Sequence, residues 1–381
     1  MDAYITDLAS FLPNEPVTNE RIEDVLGRVN AIPSKSKAIM LRNNKIQQRY
    51  YALDPETGAF THNNAQLTAE AVRRLQPHDD FKLDDIACLC CGTTSPDVLL
   101  PGHALMVLGE LGLPPCDAVS TAGICIAGMT ALKYAALQVA AGLAPNAVAT
   151  GSELSSSYLR ADFFSVIADD PEADLSKKPI LAFDADFLRW MLSDGAGAAF
   201  ISGEKNPQGI SLKVDWIENI SFAGELETCM YAGGWKNEDG TMNGWRAAPS
   251  AREAARNNFL AVRQDARLLG REIVSTMTRA LRRVVAKHDL TPDAVDWYLP
   301  HFSSHFFRDK FYAGMQEAGF EIPYAKWFTN LYTTGNVGAA SIYLIMEALF
   351  KSGDLQPGQR LLCFIPESGR FSHCFMHLTV V

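Results

Sequence analysis

Apolar runs and helical periodicities alternate through the first half of this chain. The run IACLCCGTT is typical of a buried strand, and the apolar positions of HALMVLGELG recur at helical spacing until Gly112 ends them. The segment 126–143 carries apolar or small residues on almost every side of a helix, which is typical of a buried helix. The predicted order is strand, helix, strand, helix, strand over 84–94, 103–112, 116–120, 126–143 and 146–154. This order indicates an α/β fold whose sheet has helices on both faces.

The second half repeats the scheme. A strand is predicted over 194–204, a long amphipathic helix over 251–288, strand–turn–helix units around WYLPHFSS and TTGNVGAAS, and two closing strands. The chain therefore divides into halves at 1–205 and 206–381. The polar, glycine-rich segments 155–190 and 205–250 are predicted to be insertions or lids over a site.

Composition narrows the class of protein. The chain has 381 residues, 48% hydrophobic and 20% charged, enough for about two domains of roughly 150–200 residues. A net charge of −10 argues against non-specific nucleic-acid binding. No apolar run reaches ~18 residues, so no membrane span is expected. The amino terminus has no basic region of a signal peptide, and a cytoplasmic location is expected.

The cysteines are too few for a disulfide scaffold. There are eight in the chain, and Cys88, Cys90 and Cys91 are interpreted as small core residues in a reducing compartment. Cys125 stands apart because the small residues STAGI precede it and an alanine-rich helical segment follows. A thiol at a helix start is expected to have a lowered pKa, since the dipole favours the thiolate nucleophile. A cysteine that only packs in the core is the simpler alternative.

Two further motifs lie far downstream. Pro300 ends a predicted strand and presents His301 at its end, while Gly335 permits a tight turn at Asn336. A neutral imidazole and a carboxamide can both donate hydrogen bonds to a developing oxyanion. The alternatives are a capped surface histidine and a plain turn asparagine.

Several separated motifs occur in the order found in one enzyme family. The segments CGTTSPDVLLPGHALMVLGELG, SDGAGAAFIS, WYLPHFSS and TTGNVGAASIYLIMEAL, with Cys125 at the nucleophile position, resemble the β-ketoacyl-acyl-carrier-protein synthase III group of the thiolase superfamily. The segments LRNNKIQQRYYALDPETG and THNNAQLTAEAVRRL are similar to ketosynthases of dialkylresorcinol, flexirubin and aryl-polyene pathways.

The resemblance implies a fold, a reaction and partners. The fold would be five-layered, α-β-α-β-α, with pseudo-symmetric halves in a homodimer. The reaction would be a Claisen-type condensation in which Cys125 carries an acyl group and His301 and Asn336 stabilise the enolate. The substrates would arrive on the phosphopantetheine of an acyl carrier protein or of CoA, with no other cofactor.

The chain departs from the family around its substrate. The glycine-rich loop of the family is replaced by PESGRFS, in which Gly369 is expected to supply an oxyanion donor beside the Cys125 amide. Glu367 is interpreted either as a general base or as a solvated loop charge. Leu100 stands where a bulkier aromatic would wall a short acyl pocket. The stretch SKSKAIMLRNNKIQQR lacks a tryptophan and has Gln47 where an arginine is usual, which favours carrier-bound or longer acyl donors over CoA.

The remaining polar residues have two interpretations each. His305 follows His301 at helical spacing, but the pair lacks the glutamate of a zincin motif, so His305 is expected to be a polar neighbour and no metal site is predicted. Arg308 and Lys310 are expected to dock an acidic carrier protein. The arginines Arg252, Arg256, Arg263, Arg267 and Arg271 form a second candidate, equally consistent with a solvated helix face.

Three other functions remain open from the sequence. Acyl transfer to an alcohol or amine would use Cys125 and His301 but would not need Asn336. A non-catalytic partner subunit would usually have lost the cysteine or the histidine, and this chain retains both. A zinc hydrolase would need a metal site.

Overall fold

The structure is a computed structural model that describes residues 1–29, 33–34, 36–161, 187–256 and 261–381. Within those residues one large mixed sheet holds nine strands. They are β1 (Tyr4–Phe11), β2 (Cys88–Thr93), β3 (Asp117–Ala122), β4 (Asn146–Glu153), β5 (Gly195–Ser202), β6 (Leu212–Ser221), β7 (Trp297–Pro300), β8 (Arg360–Glu367) and β9 (Ser372–Val380). The smaller pairs are Val17–Thr18 with Gln48–Arg49, Met230–Tyr231 with Arg263–Gln264, and Gly234–Lys236 with Met242–Gly244.

The strand order is β7-β8-β9-β6-β1-β5-β4-β2-β3. In the first half β2 runs parallel to β3 and β4, while β5 is antiparallel to both β4 and β1. In the second half β7 and β8 are parallel, and β9 is antiparallel to β8 and β6. The two parts join where Tyr4 and Ile5 of β1 pair with Lys213 and Leu212 of β6. The predicted strand–helix alternation is thereby confirmed as a mixed α/β fold.

The longer helices form three layers. They are α1 (Lys37–Asn44), α2 (Asn64–Arg73), α3 (His103–Leu111), α4 (Ala127–Ala140), α5 (Ala266–His288), α6 (Arg308–Glu317) and α7 (Ser341–Phe350), with short helices at Ile22–Val25, Ser156–Leu159, Ala251–Arg256 and Leu331–Thr334. α4 and α7 share a core with strands from both halves, α2 and α3 pack on the first half, and α5 and α6 pack on the second. This arrangement is the five-layered thiolase architecture.

The central layer is packed closely through two glycines. A Cβ built on Gly128 of α4 would lie 2.4 Å from the carbonyl oxygen of Ala339, and one on Gly151 of β4 would lie 2.2 Å from it. Both distances are shorter than real Cβ contacts, so only glycine lets the backbones approach this far. The approach brings the start of α4 against the turn that precedes α7, and it thereby sets the distance between Cys125 and Asn336.

Helix α4 is less buried than its sequence predicted. It covers Ala127–Ala140 and not 126–143, and Leu137 on its outer face is 59% exposed. The sheet edge explains this exposure, because α4 contacts β3, which is the last strand of the sheet in the described part of the chain.

The prediction of one long helix over 251–288 is wrong. A short helix ends at Arg256, the strand Arg263–Gln264 intervenes, and α5 begins at Ala266. The Asp265 side chain accepts a hydrogen bond from the Leu268 amide at 2.9 Å, which caps the new helix start. The helical periodicity of the arginines therefore spans two elements, and Arg263 and Arg271 do not share one helix face.

The two predicted insertions have different outcomes. Most of 155–190 lies outside the described residues. Within 205–250, Leu212–Ser221 is the sheet strand β6 and not a lid. Gly234–Lys236 and Met242–Gly244 pair with each other in a two-stranded sheet separate from the large one. The division of the chain at residue 205 stays a prediction.

Two general properties bear on the setting of the fold. Among the described residues, no helix combines the length and the apolar character that crossing a bilayer requires. All eight cysteines are free thiols.

Candidate active site

One cavity, partly open to solvent, joins the two halves of the fold. Its polar end is lined by Thr94, Cys125, Glu153, Ser155, Asn336 and Gly338. Its apolar end is lined by Leu188, Met191, Met230, Val262, Leu269, Ile273, Phe307 and Phe311. A mostly apolar cavity with a few polar groups gathered in it is typical of a small-molecule site.

Cys125 lies in this cavity but is not an activated thiolate. Its side chain is 8% exposed, and it precedes the first residue of α4 by two positions. Burial raises the pKa of the Cys125 thiol far above its usual value, and the nearby carboxylates of Glu367 and Glu153 raise it further. The lowered pKa expected from the helix dipole is therefore wrong, because desolvation and two like charges outweigh the dipole. The resting thiol is neutral and must lose its proton when substrate binds.

The neutral thiol predicts slow alkylation of Cys125 by iodoacetamide at pH 7, with a rate that increases about tenfold per pH unit beyond pH 9. Glu153→Gln is expected to accelerate the reaction about tenfold, since it removes a charge that disfavours the thiolate. Peptide mapping by mass spectrometry would separate Cys125 from the more accessible Cys116, and Glu110→Gln on the surface is the matched control. An alkylation midpoint below pH 8 would restore the dipole interpretation.

Glu153 is a cavity residue that the sequence did not single out. It ends β4, and its carboxylate accepts hydrogen bonds from the amides of Thr94 and Ala339, both at 3.2 Å, and from Ser95 Oγ at 3.0 Å. Burial raises the pKa of Glu153 to about 7, although these hydrogen bonds oppose the shift. The only signal in the sequence was an acidic residue at the end of an otherwise buried strand. The carboxylate links β2, β4 and the turn after Asn336.

Asn336 presents its amide group to the cavity. Gly335 before it has φ of 74°, so the turn needs glycine there. The Asn336 Oδ1 accepts a hydrogen bond from the Gly338 amide at 2.9 Å, which leaves Nδ2 as the group that faces the cavity. The conformation expected for an oxyanion donor is therefore present, while its role stays a prediction.

His301 lies directly after β7, where its amide donates to the Phe364 carbonyl at 2.8 Å. The side chain is 2% exposed and is not a capped surface histidine. Burial lowers the pKa of His301 to about 4, so the imidazole is neutral at pH 7. Its Nε2 is buried and makes no hydrogen bond within the described part of the chain. His301 is not among the cavity-lining residues, but Ser303, two positions later, is one.

The predicted oxyanion donor Gly369 is already engaged. Its amide donates to Glu367 Oε1 at 2.6 Å, and its carbonyl accepts from the Cys229 amide at 2.8 Å. Gly369 therefore does not offer a free N–H to a substrate, which corrects the expectation. Its neighbours Pro366 and Ser368 line the cavity instead.

Glu367 is not a solvated loop charge, while its role as a general base stays a prediction. It is 6% exposed, and the β8–β9 turn surrounds its carboxylate with donors from Gly369, Arg370 and Ser372. Burial raises the pKa of Glu367 despite these hydrogen bonds. Its carboxylate replaces the glycines of the family loop as the group that organises this turn.

Leu100 does not wall the cavity of its own chain. It is 86% exposed, in a loop that begins after β2 and contains Leu99, which is 76% exposed. Leu100 is absent from the cavity lining, so the predicted acyl-pocket role is wrong within one chain.

His305 belongs to the surface near the cavity. Its Nδ1 lies 2.7 Å from the Tyr332 hydroxyl, and its pKa is lowered first by burial and then by Lys45 and Arg308. Among the described residues, no cluster of three or more histidine, cysteine, aspartate or glutamate side chains could hold a metal ion.

Arg308 and Lys310 lie on the outer side of α6, whose inner side supplies Phe311 to the cavity. Arg308 stacks on Tyr324 at 3.7 Å from the ring centroid, and Lys310 lies 3.9 Å from the centroid of Phe306. The rings hold both cations at the surface close to the active centre.

The chain is similar in sequence to one group of acyl-condensing proteins. The model of the 3-oxoacyl-[acyl-carrier-protein] synthase III C-terminal domain matches residues 285–365. Over 360 residues the chain is 24% identical to a protein of Rhizorhabdus wittichii named β-ketoacyl-[acyl-carrier-protein] synthase III, covering 94% of each chain.

Solved structures agree in fold. The tetronic acid condensing enzyme AbyA1 superposes with a TM-score of 0.75 at 18% identity, covering 99% of each chain. The 3-oxoacyl-(acyl carrier protein) synthase III of Pseudomonas aeruginosa superposes with a TM-score of 0.69 at 17% identity, covering all of this chain and 98% of that one. At these identities the likeness establishes the thiolase fold.

Proposed function

We propose that this chain, a thiolase-superfamily protein of the β-ketoacyl-[acyl-carrier-protein] synthase III type, joins two acyl thioesters by a Claisen-type condensation. The observation that carries the proposal is one cavity with Cys125 and Asn336 at its polar end and an apolar chamber beyond them. A nucleophile, an amide donor and room for an acyl chain are the parts that the reaction requires.

The first half of the reaction is acyl transfer. Cys125 attacks the carbonyl carbon of an acyl thioester, the carbon–sulfur bond of the donor breaks, and the acyl group remains on the enzyme. Because the Cys125 thiol is neutral at rest, its proton leaves during the attack and protonates the departing thiolate.

The second half forms the carbon–carbon bond. A malonyl-type thioester loses CO₂, or a β-ketoacyl thioester gives its α-proton to the Glu153 carboxylate in the cavity, and negative charge moves to the thioester oxygen. The Asn336 Nδ2 and the His301 N–H donate to that oxygen. The carbanion attacks the carbonyl carbon of acyl-Cys125, the carbon–sulfur bond to Cys125 breaks, and the released Cys125 thiolate takes up a proton from solvent. A His301 pKa near 4 keeps the imidazole a neutral donor throughout the physiological range.

The apolar chamber favours an acyl group longer than acetyl. It is built from α5, α6 and the segment before β5, and eight of its lining side chains are aliphatic, aromatic or thioether groups. Burying each methylene contributes roughly 0.8 kcal/mol, so a medium chain is selected over a short one. The specialised form of the proposal joins an acyl and a β-ketoacyl chain into a cyclohexanedione or resorcinol precursor.

The test is a product assay with purified enzyme. Malonyl and β-ketoacyl carrier proteins are offered against acyl donors of increasing length, on carrier protein or on CoA, and products are identified by mass spectrometry. Intact-protein mass is expected to show one acyl group on Cys125 before product accumulates. Acyl loading followed only by esters or amides with added alcohols or amines would favour acyl transfer without condensation.

Docking of an acidic carrier protein is assigned to the outer side of α6. Arg308 and Lys310 carry positive charge there, and Lys45 adds to it beside His305. Such a patch on a chain of net charge −10 provides the local complementarity that an acidic partner requires.

A homodimer through the β3 edge is also proposed. The strand is an unpaired sheet edge, and it is flanked by Leu105 of α3 and Leu137 of α4, which are 51% and 59% exposed. An exposed edge with apolar flanks pairs readily with a second copy about a two-fold axis.

Light scattering is expected to give twice 41.8 kDa, and Leu137→Asp is expected to lower that mass. Leu143→Asp, at a leucine outside α4 that is 75% exposed, is the control, and a monomeric wild type would contradict the proposal.

A further inference from the structure

Arg49 is an arginine in the core that has no acidic partner among the described residues. It is 0% exposed, and its guanidinium donates to Asn19 Oδ1 at 2.6 Å and to the carbonyl of Trp190, while its Nε makes no hydrogen bond. Burial without a countercharge lowers the pKa of Arg49. A guanidinium without a carboxylate is costly to bury, so its hydrogen bonds must serve a specific geometry.

The carbonyl oxygen of Trp190 is the acceptor that the Arg49 guanidinium holds. This oxygen also accepts a hydrogen bond from Asn44 Nδ2 at 2.6 Å, so two side-chain donors hold it in place. The Trp190 side chain is fully buried and anchors the same peptide unit from the other side. The chain direction at Trp190 is thereby fixed before the next three residues begin.

Residues 191–193 hold the backbone of Asn336 through hydrogen bonds. The Asn336 amide donates to the Met191 carbonyl at 3.0 Å, and the Ser193 amide donates to the Asn336 carbonyl at 2.9 Å. A Cβ on Gly335 would lie 2.9 Å from Ser193 Cβ and 3.1 Å from Arg49 Cγ. The Arg49 stem and the segment after Trp190 therefore pack directly against the turn that carries Asn336.

We propose that Arg49 is a positioning residue for Asn336. Its guanidinium fixes the Trp190 carbonyl, residues 191–193 then hold the backbone of Asn336, and the side-chain Nδ2 of Asn336 is thereby kept within hydrogen-bonding reach of the thioester oxygen. The inference rests on the proposed function, in which Asn336 acts in condensation and not in acyl loading. A shift of about 1 Å in such a donor costs up to about 100-fold in rate.

The test separates the two half-reactions in Arg49→Met, which keeps the stem and removes the guanidinium. Acyl loading of Cys125, followed by intact mass, is expected to stay within about twofold of the wild type. Condensation is expected to fall about 10- to 100-fold. Arg49→Lys is expected to recover part of this loss, since an ammonium group can still donate to the Trp190 carbonyl. In an Asn336→Ala background, Arg49→Met is expected to cause no further loss, because the two changes act through one group.

Arg189→Met is the matched control. Arg189, which directly precedes Trp190, is also buried, and it donates to the carbonyls of Leu159 at 2.9 Å and Leu26 at 3.3 Å. It is expected to lower the melting temperature without changing the ratio of condensation to acyl loading. Equal losses in both half-reactions of Arg49→Met, or a loss that adds to that of Asn336→Ala, would overturn the inference. Failure of the proposed function would look different: Asn336→Ala itself would leave condensation unchanged.

Discussion

Replacing Cys125 by alanine is expected to abolish both the acyl-enzyme and the product, with turnover reduced by at least about 1,000-fold. The residue lines the polar end of the cavity, and the other cysteines are absent from the cavity lining. No neighbouring group can replace the sulfur, because an alanine methyl cannot form a thioester. Intact-protein mass after incubation with acyl thioester measures the first effect, and product formation measures the second.

Cys91→Ala is the matched control for that experiment. Cys91 is fully buried in β2, and burial also raises the pKa of its thiol. It lies in the core between the large sheet and the helices α2 and α3, outside the cavity lining. It is expected to retain acyl loading and turnover. An acyl adduct that persists in Cys125→Ala would contradict the assignment of the nucleophile and would direct attention to another residue.

Asn336→Ala is expected to have the second largest effect, a fall of about 100- to 1,000-fold in condensation with acyl loading preserved. The loss corresponds to roughly 2.7–4 kcal/mol, which is the usual cost of removing one oxyanion donor. The Asn336 Oδ1 is held by the Gly338 amide, so its Nδ2 is the part that substrate would contact. Single-turnover measurements of adduct formation and of product release would separate the two half-reactions.

The control for Asn336 is a nearby asparagine outside the cavity lining. Asn330 precedes the short helix Leu331–Thr334, and its Oδ1 receives a weak hydrogen bond from Thr334 Oγ1 at 3.4 Å. Asn330→Ala is expected to leave condensation unchanged. If Asn336→Ala also left it unchanged while loading continued, transfer to an alcohol or amine acceptor would become the better description of the enzyme.

Local patterns were sufficient for most of the secondary structure. The buried strands β2, β4 and β5 and the helix ended by Gly112 were predicted to within a few residues, because their signals lie in consecutive side chains. The prediction failed over 251–288, where helical spacing continued across a break. The break depends on the pairing of Arg263–Gln264 with Met230–Tyr231, a contact between segments about 30 residues apart that no local window includes.

The sequence by itself determined the fold class and the chemical identity of the candidate centre, since Cys125, His301 and Asn336 each stand in a short motif with its own turn residues. Only the tertiary structure decided which of the site's groups are protonated and which of its hydrogen-bond donors are available. Burial raises the pKa of the Cys125 thiol, and the carboxylates of Glu367 and Glu153 raise it further, so the thiol is neutral. The Gly369 amide is occupied because a carboxylate two residues earlier turns back onto it. Protonation and donor availability are set by burial and by charges from distant segments, which follow from the packed fold and not from the order of residues along the chain.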